Sequence, residues 1–131
     1  MRTVEFSAVF GVVPGFGHDN DVRAEPLALV AAAWDVAAEA ERSAHGLYVG
    51  AALAERRVLY PRDQGCPEGG EVSVEAMGAC NMRCEDPSAW RDGVRRVVEA
   101  TRLKLGQATV RIVFRDVEDE LLTGRRNDDA S

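Results

Sequence analysis

The chain has 131 residues, of which 46% are hydrophobic and 29% charged, and its formal net charge is −6. This length fits one domain with one core, and the composition is far from that of a disordered chain. No run of lysine or arginine exceeds two residues, which excludes the basic surface that nucleic-acid binding requires. We predict a single domain over residues 1–122 and a flexible tail over residues 123–131.

The first residues and the cysteines indicate where the protein acts. Glu5 lies where a signal peptide needs an apolar stretch, and no segment has the apolar length of a membrane span. We therefore expect a cytoplasmic protein without a membrane partner. Cys66, Cys80 and Cys84 are an odd number in a domain that needs no disulfides, so we predict free thiols. Their spacing does not supply four zinc ligands, and no metal is expected.

The first half of the chain follows a strand, helix, strand plan. Apolar and polar residues alternate over residues 4–13, which predicts a strand, and turn-forming residues over 14–21 predict a loop. Pro26 suits the first position of a helix, and apolar residues then recur at three- and four-residue spacing until Gly46. Residues 47–53 are apolar on both faces and predict a buried strand.

The second half repeats this plan. Alternation over residues 72–78 predicts a third strand, and Asp86 followed by Pro87 marks the start of a second helix that ends at Gly106. Residues 109–117 alternate again and predict the fourth strand. We predict an α/β (α+β) fold in which two β-α-β halves form a four-stranded mixed sheet with two helices on one face.

The other face of the predicted sheet stays uncovered. Its expected polar side chains are Glu5, Ser7, Ser73, Glu75, Arg111 and Arg115, with valines among them. This mixture is neither a typical core nor a typical solvated surface. Such a face often forms an interface between subunits or lines a site.

Three segments within residues 45–118 carry a resemblance to a known family. They are the strand start Gly46-Leu47-Tyr48-Val49, the loop Gly65-Cys66-Pro67-Glu68-Gly69-Gly70 and the closing strand over residues 110–117. In order and texture they resemble the tautomerase superfamily, the group that includes macrophage migration inhibitory factor. The resemblance implies a cytoplasmic homotrimer that binds or isomerises a small anionic molecule of keto-enol type, without a cofactor.

The resemblance also assigns site residues. Members of that family use an amino-terminal proline as catalytic base, whereas this chain begins Met1-Arg2-Thr3 and lacks it. His45 is then the expected acid/base residue, and Arg111 and Arg2 are the expected substrate-binding residues. Plainer alternatives are a stabilising contact of His45 with the end of its helix, and cross-strand ion pairing for Arg111.

An alternative function remains open at this point. The same β-α-β-β-α-β order occurs in ferredoxin-like domains, which serve as non-enzymatic binding or assembly modules. The order of elements does not distinguish a tautomerase-like protein from a ferredoxin-like module.

Overall fold

Four strands and two long helices follow one another in the predicted order. In the computed structural model, which describes residues 2–12, 25–80 and 84–124, the elements have the following bounds. They are β1 (Arg2–Gly11), α1 (Pro26–His45), β2 (Ala52–Val58), β3 (Glu71–Ala79), α2 (Pro87–Leu105) and β4 (Ile112–Glu118), with a 3₁₀ turn at Arg62–Gln64. The α+β class is thereby confirmed. The predicted loop over residues 14–21, with His18, and most of the predicted tail lie outside the described residues.

The helices begin and end where the proline and glycine signals predict. Glu25 accepts hydrogen bonds from the backbone N–H groups of Leu27 and Ala28, at 3.2 and 2.8 Å, which satisfies two donors that the first turn leaves free. Asp86 caps α2 in the same way. Gly46, at φ 68°, ends α1 in the left-handed conformation that a side chain disfavours.

The strand order is β2-β3-β1-β4, and every pair is antiparallel. Each helix therefore joins two strands that are separated by one strand of the other half. The predicted sheet was mixed, and this detail is corrected: the two halves interleave instead of lying side by side. The arrangement is the split β-α-β order of ferredoxin-like folds.

The core lies between the helices and one face of the sheet. The Trp34 ring of α1 stacks on Phe6 of β1 with 5.7 Å between centroids, and Trp90 of α2 lies 5.8 Å from the same ring. Both tryptophans are buried, as the apolar helix stripes predict. Both helices pack on this face, and no α-helix of the described residues lies on the opposite face of the sheet.

The position of β2 differs from the prediction. A buried strand was expected over residues 47–53, but the strand runs from Ala52 to Val58 and contains Glu55, Arg56 and Arg57. Charge is tolerated there because β2 lies at the edge of the sheet and is largely exposed. The apolar segment before it is irregular.

Candidate functional site

The face of the sheet turned away from the helices, called the open face below, gathers polar side chains from three strands. The register pairs Arg56 of β2 with Ser73 of β3, and Ser73 with Gly11 of β1. Since side chains alternate along a strand, Glu75 and Ser7 share this face. The polar residues of β1 and β3 on this face match the sequence prediction.

Glu75 lies at the centre of this group. Its side chain is only 15% exposed, and Arg56 Nη1 lies 2.8 Å from its Oε2. The Ser7 hydroxyl donates to the same oxygen at 3.0 Å. Both contacts fall on Oε2, so this one carboxylate oxygen of Glu75 is held in place by two neighbouring strands.

A second ion pair lies at the β4 side of the open face. Arg115 Nη1 is 3.4 Å from Glu5 Oε1, and both side chains are well exposed. The depression between these residues, Ser7 and Met77 measures about 30 Å³, roughly the space of one water molecule. This part of the face is therefore a shallow surface on a single chain.

Ser73 differs from its polar neighbours. It is 2% exposed, and its Oγ has no hydrogen-bond partner among residues 2–12, 25–80 and 84–124. Its register partner on β1 is Gly11. Because Gly11 has no Cβ, the Gln107 amide can lie against it, and a Cβ there would collide with that amide. A buried hydroxyl and a buried amide side chain thus lie at the same end of the open face.

The structure does not bring the predicted site residues together. Arg2 pairs with Glu118 at the start of β1, whereas Arg111 precedes β4 at the opposite end of the sheet. His45 is the exposed last residue of α1, toward the end of the sheet that holds Arg2. The roles assigned to these three residues stay predictions.

Sequence reasoning missed Arg56 as a site residue. The charged triplet to which it belongs was read as an interruption of the strand. A usable signal was present, because Ala52, Ala54, Arg56 and Val58 keep the two-residue period of a strand.

The cysteines also differ in part from the prediction. Cys80 and Cys84 form a disulfide with 5.4 Å between their Cα atoms, so the prediction of free thiols is wrong for this pair. Cys80 follows β3 and Cys84 precedes α2, and their proximity is a property of the fold that counting cysteines does not reveal. Cys66 is a free cysteine.

Two further features are absent from the described residues. Residues 2–12, 25–80 and 84–124 hold no cluster of three metal-ligating side chains. Among the same residues, no helix combines the length and apolar character of a membrane span.

The fold is similar to that of a solved phage enzyme. A phage SAM lyase in complex with S-methyl-5′-thioadenosine superimposes with a TM-score of 0.60 at 14% sequence identity, covering 87% of this chain and 81% of that chain. At this identity the likeness shows the fold alone. No curated protein matches the sequence.

The tautomerase resemblance is wrong, because the model of a different family, SAM lyase, matches residues 1–122. The resemblance depended on the order and texture of elements that unrelated β-α-β-β-α-β domains share. The keto-enol isomerase function is corrected with it, and so is the alternative of a non-enzymatic module. Since the match leaves out only the C-terminal end, the chain belongs to the SAM lyase family.

Proposed function

We propose that this protein cleaves S-adenosylmethionine and releases S-methyl-5′-thioadenosine. The family match over residues 1–122 carries the proposal. The nucleoside bound to the structurally similar phage SAM lyase supports it, because that molecule is what remains when the sulfonium loses its amino-acid chain.

The proposed reaction balances without water or a redox cofactor. The bond between the sulfonium sulfur and the amino-acid chain breaks, and its electron pair stays on sulfur, which becomes the neutral thioether. The four-carbon fragment regains its valence when its own carboxylate forms a C–O bond, giving a lactone. The other route is loss of a proton to a base, giving an alkene. The two products are isomers of equal mass, so comparison of the chromatographic retention and the NMR spectrum with authentic standards separates the two routes.

Glu75 is the residue that we place at the centre of the site. Ser7 and Arg56 both contact its Oε2, which leaves Oε1 to accept hydrogen bonds from hydroxyl or ammonium groups of the substrate. Its low exposure strengthens such contacts, because few water molecules compete for the carboxylate. The Arg56 guanidinium, half-exposed beside it, has the geometry to bind the substrate carboxylate.

The experiment is a product assay on the purified chain. S-Adenosylmethionine is added, and S-methyl-5′-thioadenosine and the four-carbon product are followed by chromatography and mass spectrometry. We expect the nucleoside to form without incorporation of solvent oxygen into the four-carbon product at the moment of release. Absence of the nucleoside at all protein concentrations refutes the function.

The site assignment is tested by Glu75→Gln, which keeps the side-chain size and removes the charge. We expect kcat/KM to fall about tenfold or more, because a charge-assisted hydrogen bond contributes about 1.5–3 kcal/mol. The matched control is Glu99→Gln, which also removes a carboxylate paired with an arginine, but on the exposed side of α2. Equal activity in both variants places the site elsewhere.

A homotrimer and a cytoplasmic location remain part of the proposal. The open face of one chain is too shallow at Glu5 and Met77 to surround a nucleoside, which favours a site completed by another copy. Exposed Val58 and Met77 on this face also favour association. Light scattering gives the solution mass, and cell fractionation tests the location.

A further inference from the structure

We infer that Ser73 is a specificity-determining residue whose hydroxyl binds the adenine base of the ligand. The inference deepens the proposed function and rests on it, because the base belongs to the part that substrate and product share. Its support is the burial of the hydroxyl, the lack of a partner, and the chemistry of its neighbours.

The Ser73 hydroxyl is unsatisfied in the part of the chain that the structure describes. Its Oγ is buried and has no hydrogen-bond partner among these residues, a state that costs folding free energy and that alanine would avoid. Thr101 shows the ordinary arrangement in this core, where a buried hydroxyl donates to the Val97 carbonyl oxygen at 2.8 Å. An unsatisfied serine on the face that holds Glu75 indicates a partner that arrives with the ligand.

The neighbours of Ser73 indicate which part of the ligand it meets. The Gln107 amide lies against Gly11, the register partner of Ser73 on β1. A hydroxyl and a primary amide each donate and accept hydrogen bonds, and an adenine edge presents both kinds of group. Glu75 lies two residues farther along β3, about 7 Å away, and matches the ribose hydroxyls and the positively charged groups of the substrate instead.

On the β2 side of Ser73, the neighbouring side chain is half-exposed. Arg56 is the register partner of Ser73 there, and its side chain is 50% exposed. It can turn away from Glu75 without disturbing any strand pairing. The base can then approach Ser73 from the open face.

The experiment is calorimetric titration of the wild-type protein and Ser73→Ala with S-methyl-5′-thioadenosine. We expect the variant to bind about 5- to 100-fold more weakly, the effect of losing one buried hydrogen bond. Its melting temperature should stay equal or rise, because an unsatisfied group has been removed. Thr101→Val is the control for a satisfied hydroxyl: its melting temperature falls while its affinity is retained.

Analogues of the nucleoside locate the contact. Each lacks one group of the base edge: the 6-amino group, N1 or N7. At least one analogue should bind the wild type more weakly than the parent nucleoside yet show no further loss on Ser73→Ala, which marks the missing group as the partner.

The outcomes distinguish this inference from the proposed function. If the wild type cleaves S-adenosylmethionine and Ser73→Ala binds the nucleoside with unchanged affinity, the inference alone is wrong. The inference alone is also wrong if Ser73→Ala weakens the binding of all three analogues as much as it weakens the binding of the parent nucleoside. If the wild type neither binds the nucleoside nor cleaves the substrate, both are wrong.

Discussion

At the scale of single residues, an ion pair between a buried carboxylate and a half-exposed arginine joins the two helices. Arg96 of α2 donates to both oxygens of Glu41 on α1, at 2.8 and 2.7 Å, and Glu41 is only 4% exposed. Gly93 makes the room, since a Cβ there would lie 3.2 Å from Glu41 Oε2. The hydrogen bonds from Arg96 lower the pKa of the Glu41 carboxyl below its ordinary value of 4.5.

This pair predicts how stability depends on pH. Because the folded pKa of Glu41 is depressed, its contribution is present above the unfolded pKa near 4.5 and is lost as the pH falls through the folded value. We expect Glu41→Gln to lower the free energy of unfolding by about 1–3 kcal/mol at neutral pH. At acidic pH, the difference in unfolding free energy between Glu41→Gln and the wild type should shrink. Urea denaturation at neutral and at acidic pH measures this difference.

A matched variant makes this test specific. Glu99→Gln removes a carboxylate that pairs with Arg102 at the exposed surface of α2, where such pairs contribute little. Its stability should follow that of the wild type at both pH values. A pH-independent loss in Glu41→Gln would contradict the ion-pair explanation.

At the scale of elements, the disulfide fixes the start of α2 to the sheet. The Cys80 N–H donates to the Val4 carbonyl oxygen at 2.8 Å, and Thr3 Oγ1 donates to the Cys80 carbonyl oxygen at 2.6 Å. Cys84 comes two residues before the N-cap Asp86. The bond therefore links a residue that is hydrogen-bonded to β1 with the segment just before α2.

Reduction of this bond should destabilise the protein. Opening a loop of this size costs about 2 kcal/mol in the chain-entropy model. Urea denaturation with and without dithiothreitol should show this difference in the wild type and in Cys66→Ser. The double variant Cys80→Ser with Cys84→Ser should lose its sensitivity to reductant, and continued sensitivity would argue against the pairing.

Local signals in the sequence revealed the elements but not their arrangement. Pro26 with Gly46, and Pro87 with Gly106, bracket the helices because capping depends on neighbouring residues only. Strand order depends instead on pairing between distant segments, which periodicity does not encode. The edge strand β2 was not predicted over Arg56, because a charged residue is acceptable only in an exposed strand. Whether a strand is exposed at an edge depends on the arrangement of the whole sheet.

At the scale of the whole molecule, the open face is the surface on which association should depend. Met77 is 44% exposed at its centre. We expect Met77→Glu to lower the mass measured by light scattering toward the 14.2 kDa of a single chain, because a charge would be buried in the interface. Leu103→Glu changes an exposed residue of α2 and should keep the wild-type mass. A normal assembly in both variants removes the open face as the interface.

The family assignment also belongs to this scale. The order of elements suggested the tautomerase superfamily, but unrelated families share that order. The SAM lyase family model instead matches the amino-acid sequence itself over residues 1–122. Glu5, Ser7, Ser73 and Glu75 were placed on the open face from alternation alone. Their grouping around Arg56 required the register of three strands.

The interior position of β1 in the sheet determines when the sheet can form during synthesis of the chain. β1 leaves the ribosome first, yet its neighbours are β3 and β4, and the pair Glu5 and Arg115 is separated by 110 positions. Most of the sheet therefore forms through contacts of high sequence separation, which slows folding. A nascent chain that lacks β4 has an unprotected edge at β1. β4 must accordingly be synthesised before the sheet closes, and a premature stop within β4 would leave β1 open to aggregation.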